Sequence, residues 1–212
     1  MEIKFDKDYL RELFYDGVTK DKHHRYQPDI VRRYVRVVNI LDSVDKVENL
    51  YRYHTLHYEA LSGDKKETES VRVNDQYRIE FKSSESEGIT ICNITELSNH
   101  YKKIKRTECM GNLGYGAFAT HPGEVLKDEI EARGISQRQL ADSMGLTYSV
   151  VNEILNGRRP LTAKTALMFE AALDVPADSL MYLQTKYNMQ TARKDSSLFD
   201  VLKNIRKIAA VF

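Results

Sequence analysis

The C-terminal half of this chain carries a dense series of helix caps and helix stops, which constrain its fold more than any other feature. Ser136, with Gln139 three residues later, forms a capping box at the start of a short helix. Gly145 supplies the left-handed backbone that a tight turn needs, and Thr147 caps the next helix. Further signals of this kind are Pro122, Gly134, Gly157, Thr162 and Pro176. The pattern predicts an all-α domain of five helices with a helix-turn-helix inside it.

The second helix of that turn, predicted over residues 148–155, has one apolar and one polar face. Its apolar side chains, which we expect to be buried, are Val150, Val151, Ile154 and Leu155. Its polar front consists of Thr147, Tyr148, Ser149 and Asn152. Side chains at the front of a second helix are those that meet base edges in the major groove. Arg158 and Arg159 follow and suit phosphate contacts, so the sequence predicts a DNA-binding surface here.

Three segments carry a resemblance that covers nearly the whole of the helix-turn-helix domain. They are His121-Pro122-Gly123-Glu124-Val125-Leu126, Ile135-Ser136-Gln137-Arg138-Gln139-Leu140-Ala141 and Asn156-Gly157-Arg158-Arg159-Pro160-Leu161-Thr162. Together they resemble the HigA antitoxin branch of the Xre-type repressors. The resemblance implies that Gln137 lies against phosphate, and that Thr147, Tyr148, Ser149 and Asn152 face base edges. We therefore expect a homodimer on palindromic operator DNA, with half-sites about one helical turn, roughly 34 Å, apart.

The chain length and one glycine-rich stretch predict the domain organisation. Its 212 residues exceed what one small domain needs and fit two compact domains. The stretch Met110-Gly111-Asn112-Leu113-Gly114-Tyr115-Gly116 marks the boundary. We expect a first domain at residues 1–109, a linker at 110–120, a helix-turn-helix domain at 121–195 and an amphipathic helix at 196–212. That last helix needs a partner surface, either on its own domain, on a second copy or on the first domain.

The first domain begins with a strand and two helices and continues with further strands. A strand at residues 2–5 precedes a helix that Asp6 caps and Gly17 closes. Pro28 starts a longer helix, residues 29–44, whose core stripe is Ile30, Val31, Tyr34, Val35, Val38 and Leu41. Extended segments are predicted at residues 50–56, 70–73, 77–82 and 89–97. The sequence thus predicts an α+β domain with two helices on a small antiparallel sheet.

Three segments of this first domain carry a second resemblance. They are Leu61-Ser62-Gly63-Asp64-Lys65, Val71-Arg72-Val73-Asn74-Asp75-Gln76-Tyr77-Arg78-Ile79-Glu80-Phe81 and Asn99-His100-Tyr101. Together they resemble the RelE and HigB family of ribosome-dependent mRNA-cleaving toxins. That resemblance implies a RelE-like fold and an mRNA interferase activity. A toxin followed by its antitoxin is the usual order of such a pair, so the two resemblances reinforce each other.

The residue types fit RNA cleavage without a metal. Such cleavage needs a group that takes the ribose 2′-hydroxyl proton, a group that protonates the leaving 5′-oxygen, and cations on the phosphate. His100 titrates near neutral pH and is the candidate acid or base, while Arg78 offers a planar fork for phosphate oxygens. We expect Arg72 and Lys65 to assist, and Tyr101 to stack on a base or donate a hydrogen bond.

Each of these residues also has an ordinary structural explanation. His100 would be a surface residue at the end of a domain, and Arg78 would pair across the sheet with a carboxylate such as Glu80 or Glu96. The other histidines of this half, which we expect in packing, surface or loop positions, are His23, His24, His54 and His57.

Two functions of different class follow from these observations. The first is a toxin and an antitoxin in one chain: an mRNA endoribonuclease inhibited by a linked DNA-binding module that represses its own operon. The second is a DNA-binding transcription regulator whose RelE-like half has lost catalysis and only binds. Two departures from the toxin pattern favour the second, namely Ser62 in place of a basic residue and Tyr101 after, rather than before, the terminal histidine.

Composition limits the remaining possibilities. The net charge is +1, so nucleic-acid binding must use local patches, of which one is Lys102, Lys103, Lys105 and Arg106. No apolar run approaches the roughly 18 residues that span a bilayer. Cys92 and Cys109 have neither metal-ligand spacing nor a disulfide framework. We therefore expect a cytoplasmic protein without metal, cofactor or membrane partner.

Overall fold

The computed structural model of the protein describes residues 1–62, 65–86, 88–99 and 116–209. The α+β half contains β1 (Glu2–Phe5), α1 (Asp8–Tyr15), α2 (Pro28–Ser43), β2 (Glu59–Ala60), β3 (Glu69–Arg72), β4 (Tyr77–Ser86) and β5 (Ile89–Asn99). The helical half contains α3 (Pro122–Ala132), α4 (Gln137–Ser143), α5 (Tyr148–Leu155), α6 (Ala163–Leu173), α7 (Ala177–Lys194) and α8 (Ser196–Ala209). The predicted class, an α+β domain followed by an all-helical domain, is confirmed. The linker expected at 110–120 is described only from Gly116 onward.

The α+β half is built on one five-stranded sheet with the order β1-β5-β4-β3-β2. Neighbouring strands are antiparallel except at one edge, where β1 runs parallel to β5. In the antiparallel pair of β3 and β4, Arg72 lies directly opposite Arg78. Residues directly opposite one another point to the same face of a sheet, so this register places the two cations side by side.

Two local predictions for this half are wrong. Residues 50–56 do not form a strand: the chain makes two 3-10 helices, Val47–Arg52 and His54–Leu56. The buried side chains Leu50, Tyr53 and Leu56 recur every three residues, which suits the three residues per turn of this helix. Asp6 does not cap α1, which begins at Asp8, because its carboxylate accepts a hydrogen bond from Asn93 in β5 instead.

Helix α2 is buried on more of its surface than the predicted stripe. Within the stripe, every residue except Ile30 is buried. The flank formed by Val37, Asn39, Ile40 and Ser43 is buried as well. Helix α7 of the helical half packs against α2 and covers part of that flank, and one continuous hydrophobic core extends through both halves. The two halves are thus joined by packing as well as by the chain.

The helical half confirms the predicted caps. The capping box of Ser136 and Gln139 is present, and Thr147 caps α5 by accepting from the Val150 amide. Gly145 adopts φ +62°, as the tight turn requires. Gly123 lets α3 approach the end of α5 closely, since a Cβ at this position would lie 2.0 Å from the Ile154 carbonyl oxygen.

Helix α8 carries an apolar face that is exposed in the single chain. Val201, Leu202, Ile205 and Ile208 are all more than two-fifths exposed. The helical half therefore does not cover these four side chains, although its own domain is one of the three partner surfaces expected for this helix. Among the described residues, no helix combines the length and the apolar character needed to cross a bilayer.

Candidate functional sites

The two arginines singled out in the sequence lie together on the sheet. Arg78 in β4 donates to the backbone carbonyl of His57 (Nη2 to O, 3.0 Å) and pairs with Glu59 (Nη2 to Oε1, 2.9 Å). Arg72 lies 3.1 Å from His57 (Nη1 to Nε2) and pairs with Asp75. The structure therefore brings two cations and one imidazole into a single cluster.

His57 was not predicted as a site residue. It follows the 3-10 helix His54–Leu56 and has left-handed backbone angles, φ 40° and ψ 52°. That conformation is uncommon for a residue with a side chain, although histidine is one of the types enriched there. The sequence contains no signal that predicts a left-handed turn at this residue. Its one pointer to the site is that His57 lies four residues before the toxin-like segment, which starts at Leu61.

Lys65 lies on the same sheet face but is paired. Its ammonium binds both carboxylate oxygens of Glu80, each at 2.5 Å. Glu80 lies two residues after Arg78 in β4, and side chains two apart share a face. The predicted cross-strand partners of Arg78 are therefore corrected: Glu80 binds Lys65, Glu96 binds Lys7 and Tyr9, and Arg78 binds Glu59.

The predicted acid or base, His100, lies outside the described residues, as do Tyr101 and the basic patch of Lys102, Lys103, Lys105 and Arg106. The described part of β5 ends at Asn99, opposite Tyr77 and next to the pair formed by Arg78 and Ser98. The strand thus leads to the same end of the sheet as the arginine cluster. His100 stays a prediction.

A cleft of about 860 Å³ adjoins this cluster. The α+β half lines it with Arg33, Arg36, His57, Arg72 and Asp75, and helix α3 contributes Asp128 and Glu131. In the part of the chain that the structure describes, no group of three or more His, Cys, Asp or Glu side chains is placed to hold a metal ion. Charge in the cleft is therefore carried by side chains of both halves.

The predicted DNA-facing residues form a second cluster. Asn152 in α5 donates to Gln137 at the start of α4 (Nδ2 to Oε1, 2.9 Å), and the Tyr148 hydroxyl lies 3.5 Å from the same amide nitrogen. Thr147, Tyr148 and Ser149 are exposed. These contacts join the first residue of one helix to the front of the next, which holds the polar surface in one orientation.

The two arginines after α5 differ in their contacts. Arg158 is exposed, whereas Arg159 pairs with Glu153 (Nε to Oε2, 2.8 Å). Arg159 and Glu153 are each about half exposed, so their ion pair contributes little to stability, and Arg159 can exchange it for a contact with a phosphate.

The two halves meet through ion pairs and buried hydroxyl groups. Arg36 in α2 binds Glu124 and Asp128 in α3, at 2.6 and 2.5 Å.

Helix α7 makes the second set of contacts. Asp42 binds Lys186 (2.6 Å) and Tyr182 (2.9 Å) in α7. The Ser179 hydroxyl of α7 contacts the hydroxyls of Ser43 (2.6 Å) and Tyr53 (2.5 Å). The interface thus uses α3, α7 and the C-terminal end of α6, away from the polar front of α5.

His121 caps α3 and makes the helical half sensitive to pH. Its Nδ1 accepts from the Gly123 amide at 3.0 Å, its ring packs edge-on against Tyr187, and burial lowers the pKa of the imidazole below its usual value. The unfolded chain therefore binds the proton more readily, and we expect the free energy of unfolding to fall as the pH drops below about 6.5. Once the pH is below the lowered pKa of the folded protein, His121 adds no further dependence.

Urea unfolding between pH 5 and 8 checks this expectation. His121→Asn keeps an acceptor for the cap but does not titrate, so its stability should fall less over the same range. All other histidines are common to both proteins. Identical pH profiles for the two would contradict the role given to His121.

The described fold and its two clusters define a class of protein: a small α+β domain with an arginine-rich sheet face, joined to a helix-turn-helix domain. Residues 3–94 match the family of the RelE-like toxin of the type II toxin-antitoxin system HigB, and residues 126–180 match the helix-turn-helix family. The chain belongs to the HigB–HigA toxin–antitoxin family, with both components in one polypeptide.

Several relatives are similar to parts of the chain. Virulence-associated protein I of Dichelobacter nodosus is 33% identical over 85 residues, which are 40% of this chain and 79% of that protein. An addiction module antidote protein of the HigA family from Coxiella burnetii is 32% identical, covering 42% of this chain and 92% of its own, with a TM-score of 0.35. Pseudomonas aeruginosa antitoxin HigA, solved with the higBA promoter, is 33% identical over 35% of this chain and 83% of its own, with a TM-score of 0.34.

Proposed function

We propose that the α+β half is a ribosome-dependent mRNA endoribonuclease, and that the helical half inhibits it and represses its own operon by binding operator DNA. The observation that carries the proposal is the cluster of Arg72, Arg78 and His57 on the sheet of a HigB-like domain. In the reaction, a base takes the 2′-hydroxyl proton, the 2′-oxygen attacks the phosphate, and an acid protonates the departing 5′-oxygen.

The residues divide these tasks by their chemistry. Arg78 and Arg72 stabilise the charge on the phosphate, for which a guanidinium is well shaped. His100 is the proposed acid or base, with Tyr101 stacking on a base and Lys65 supplying further positive charge. His57 contacts Arg72 and can transfer a proton or orient that arginine.

The intact chain is proposed to be inhibited. Tethering keeps the helical half at an effective concentration of roughly millimolar next to its partner surface. Two features favour the alternative, a regulator without catalysis: Arg78 is paired with Glu59, and Lys65 with Glu80, so the cations are occupied by carboxylates of their own half.

Controlled release of the helical half in cells tests the proposal. The chain is split between residues 109 and 110, both parts are expressed together, and a degradation tag on the C-terminal part removes it on induction. If the α+β half is an mRNA interferase, mapping of mRNA ends on ribosomes then shows new cuts within minutes. A soluble, folded α+β half that makes no cuts would support the regulator instead.

Operator binding gives a separate prediction. Changing Arg158 and Arg159 to alanine should weaken binding to all sequences alike and reduce the salt dependence by about 0.9 per lost phosphate contact. Asn152→Ala should instead relax base preference, at a cost of about 1–3 kcal/mol for the preferred base. Binding measured across a salt series, with operator and random duplexes, separates the two effects. Unchanged binding in both variants would remove this surface from consideration.

A further inference from the structure

One loop of the α+β half is held residue by residue by the helical half. This loop, residues 52–57, connects the interface to the arginine cluster. Arg52 pairs with Glu170 (3.1 Å) and Asp174 (2.8 Å) at the end of α6, and the Tyr53 hydroxyl contacts Ser179 in α7. Its next two residues bind a single carboxylate of α3.

That carboxylate belongs to Glu129, whose side chain is completely buried. It accepts from the His54 amide (3.1 Å), the Thr55 amide (3.0 Å) and the Thr55 hydroxyl (2.6 Å). Arg133, one turn later at the C-cap of α3, supplies the opposite charge at 3.0 Å and also donates to the Arg52 carbonyl. Because the group is buried, losing the carboxylate would leave these loop donors without an acceptor in a dry environment.

The other end of the loop lies on the two cations of the candidate site. The carbonyl of His57 accepts from Arg78, and its imidazole contacts Arg72. Arg78 is held further by Glu59, two residues after the loop, yet the Arg78 Nε is buried and has no partner among the described residues. Arg78 is thus bound to the loop while one of its donors stays unsatisfied.

We infer that Glu129 is a positioning residue for the site on the other half: it fixes the loop 52–57 so that His57 and Glu59 hold Arg78, and this contact keeps Arg78 from RNA phosphate. When the helical half leaves, His54 and Thr55 lose their acceptor, the loop is free to move, and Arg78 becomes available. This inference rests on the proposed function and adds to it, because inhibition then acts through the loop rather than through docking alone.

The test compares two carboxylate-to-amide changes in the full-length chain. Glu129→Gln replaces one of the two carboxylate oxygens that accept from the loop with an NH₂ group, which cannot accept from the same donors. Asp42→Asn is the matched control, since Asp42 is also largely buried and also bridges the halves, through Lys186 and Tyr182, but it does not touch the loop. Circular dichroism and urea unfolding establish that both variants fold.

The first readout is the ¹⁵Nε signal of Arg78 in the NMR spectrum, together with the pH titration of the His57 ring. The inference predicts that both signals change in Glu129→Gln and stay as in the wild type in Asp42→Asn.

The second readout is the affinity for a short RNA made uncleavable by 2′-deoxy sugars, which should rise at least tenfold in Glu129→Gln only. Glu129→Asp, which keeps the charge, should lie between Gln and the wild type.

Equal changes in the two variants would show that docking alone matters and would overturn the inference, as would an unchanged Arg78 signal in a folded Glu129→Gln chain. Failure of the proposed function has a different signature. In that case Arg78 and His57 respond to Glu129→Gln, but no RNA binds, and the released α+β half makes no cuts.

Discussion

In the α+β half released by degradation of its partner, His100→Ala should slow mRNA cleavage on ribosomes by about 10²–10⁴, the usual contribution of general acid–base catalysis. We expect Arg78→Lys to lower the cleavage rate strongly as well. A lysine keeps the charge but loses the planar fork that can bind two phosphate oxygens at once, so charge alone should not restore the rate. Rates come from time courses of defined mRNA cuts after induction.

Folding is the necessary control for Arg78, because Arg78 also pairs with Glu59 in β2. Glu59→Gln removes the partner but leaves the proposed phosphate contact, so this variant should cut at least as fast as the wild type. If Arg78 only stabilised the sheet, Glu59→Gln and Arg78→Lys would lower stability and cleavage together. Undiminished cleavage by His100→Ala would show that another group moves the proton.

Gly123→Ala should destabilise the helical half strongly. The added Cβ would lie 2.0 Å from the Ile154 carbonyl oxygen and 2.8 Å from the His121 ring, and a backbone atom cannot move aside alone. We expect a loss of about 3 kcal/mol or more, the upper end for overpacking, which corresponds to a melting temperature about 6–12 °C lower. Operator affinity should fall as well, since α3 supports the end of α5.

Gly145→Asn is the matched control for removing a glycine from this half. A Cβ there meets nothing within 4 Å, and asparagine tolerates the left-handed conformation that the turn requires. Calorimetry of both variants separates a clash from the general cost of losing a glycine. Equal melting temperatures would mean that α3 and α5 can move apart at little cost.

The local elements of the helical half could be predicted because each is specified by a few neighbouring residues. The capping box at Ser136, the cap at Thr147 and the left-handed Gly145 all act within one turn of chain, and all three are present in the structure. The α+β half is less predictable. The sequence predicts a strand at residues 50–56 where the chain forms 3-10 helices, because a short apolar segment does not reliably distinguish an extended from a helical period.

The candidate site could be predicted only in part, because its geometry depends on long-range contacts. The sequence predicts that Arg72 and Arg78 lie on or beside neighbouring extended segments. The register of β3 and β4 then places the two residues directly opposite each other. The backbone turn at His57 and the partner Glu59 depend on how the loop 52–57 packs against α3. No sequence pattern predicts the burial of Glu129, because it is buried where α3 of the helical half contacts the loop 52–57 of the α+β half.

The covered flank of α2 limits what a released α+β half can do. Val37, Asn39 and Ile40 are buried in the intact chain. Asn39 donates to Thr120, and Arg36 is bound to two carboxylates of α3. Losing that cover exposes an apolar strip next to an uncompensated guanidinium, a surface that favours aggregation and recapture of any helical half nearby. We therefore expect the solubility of an unaccompanied α+β half to limit its lifetime, with recapture or precipitation following soon after release.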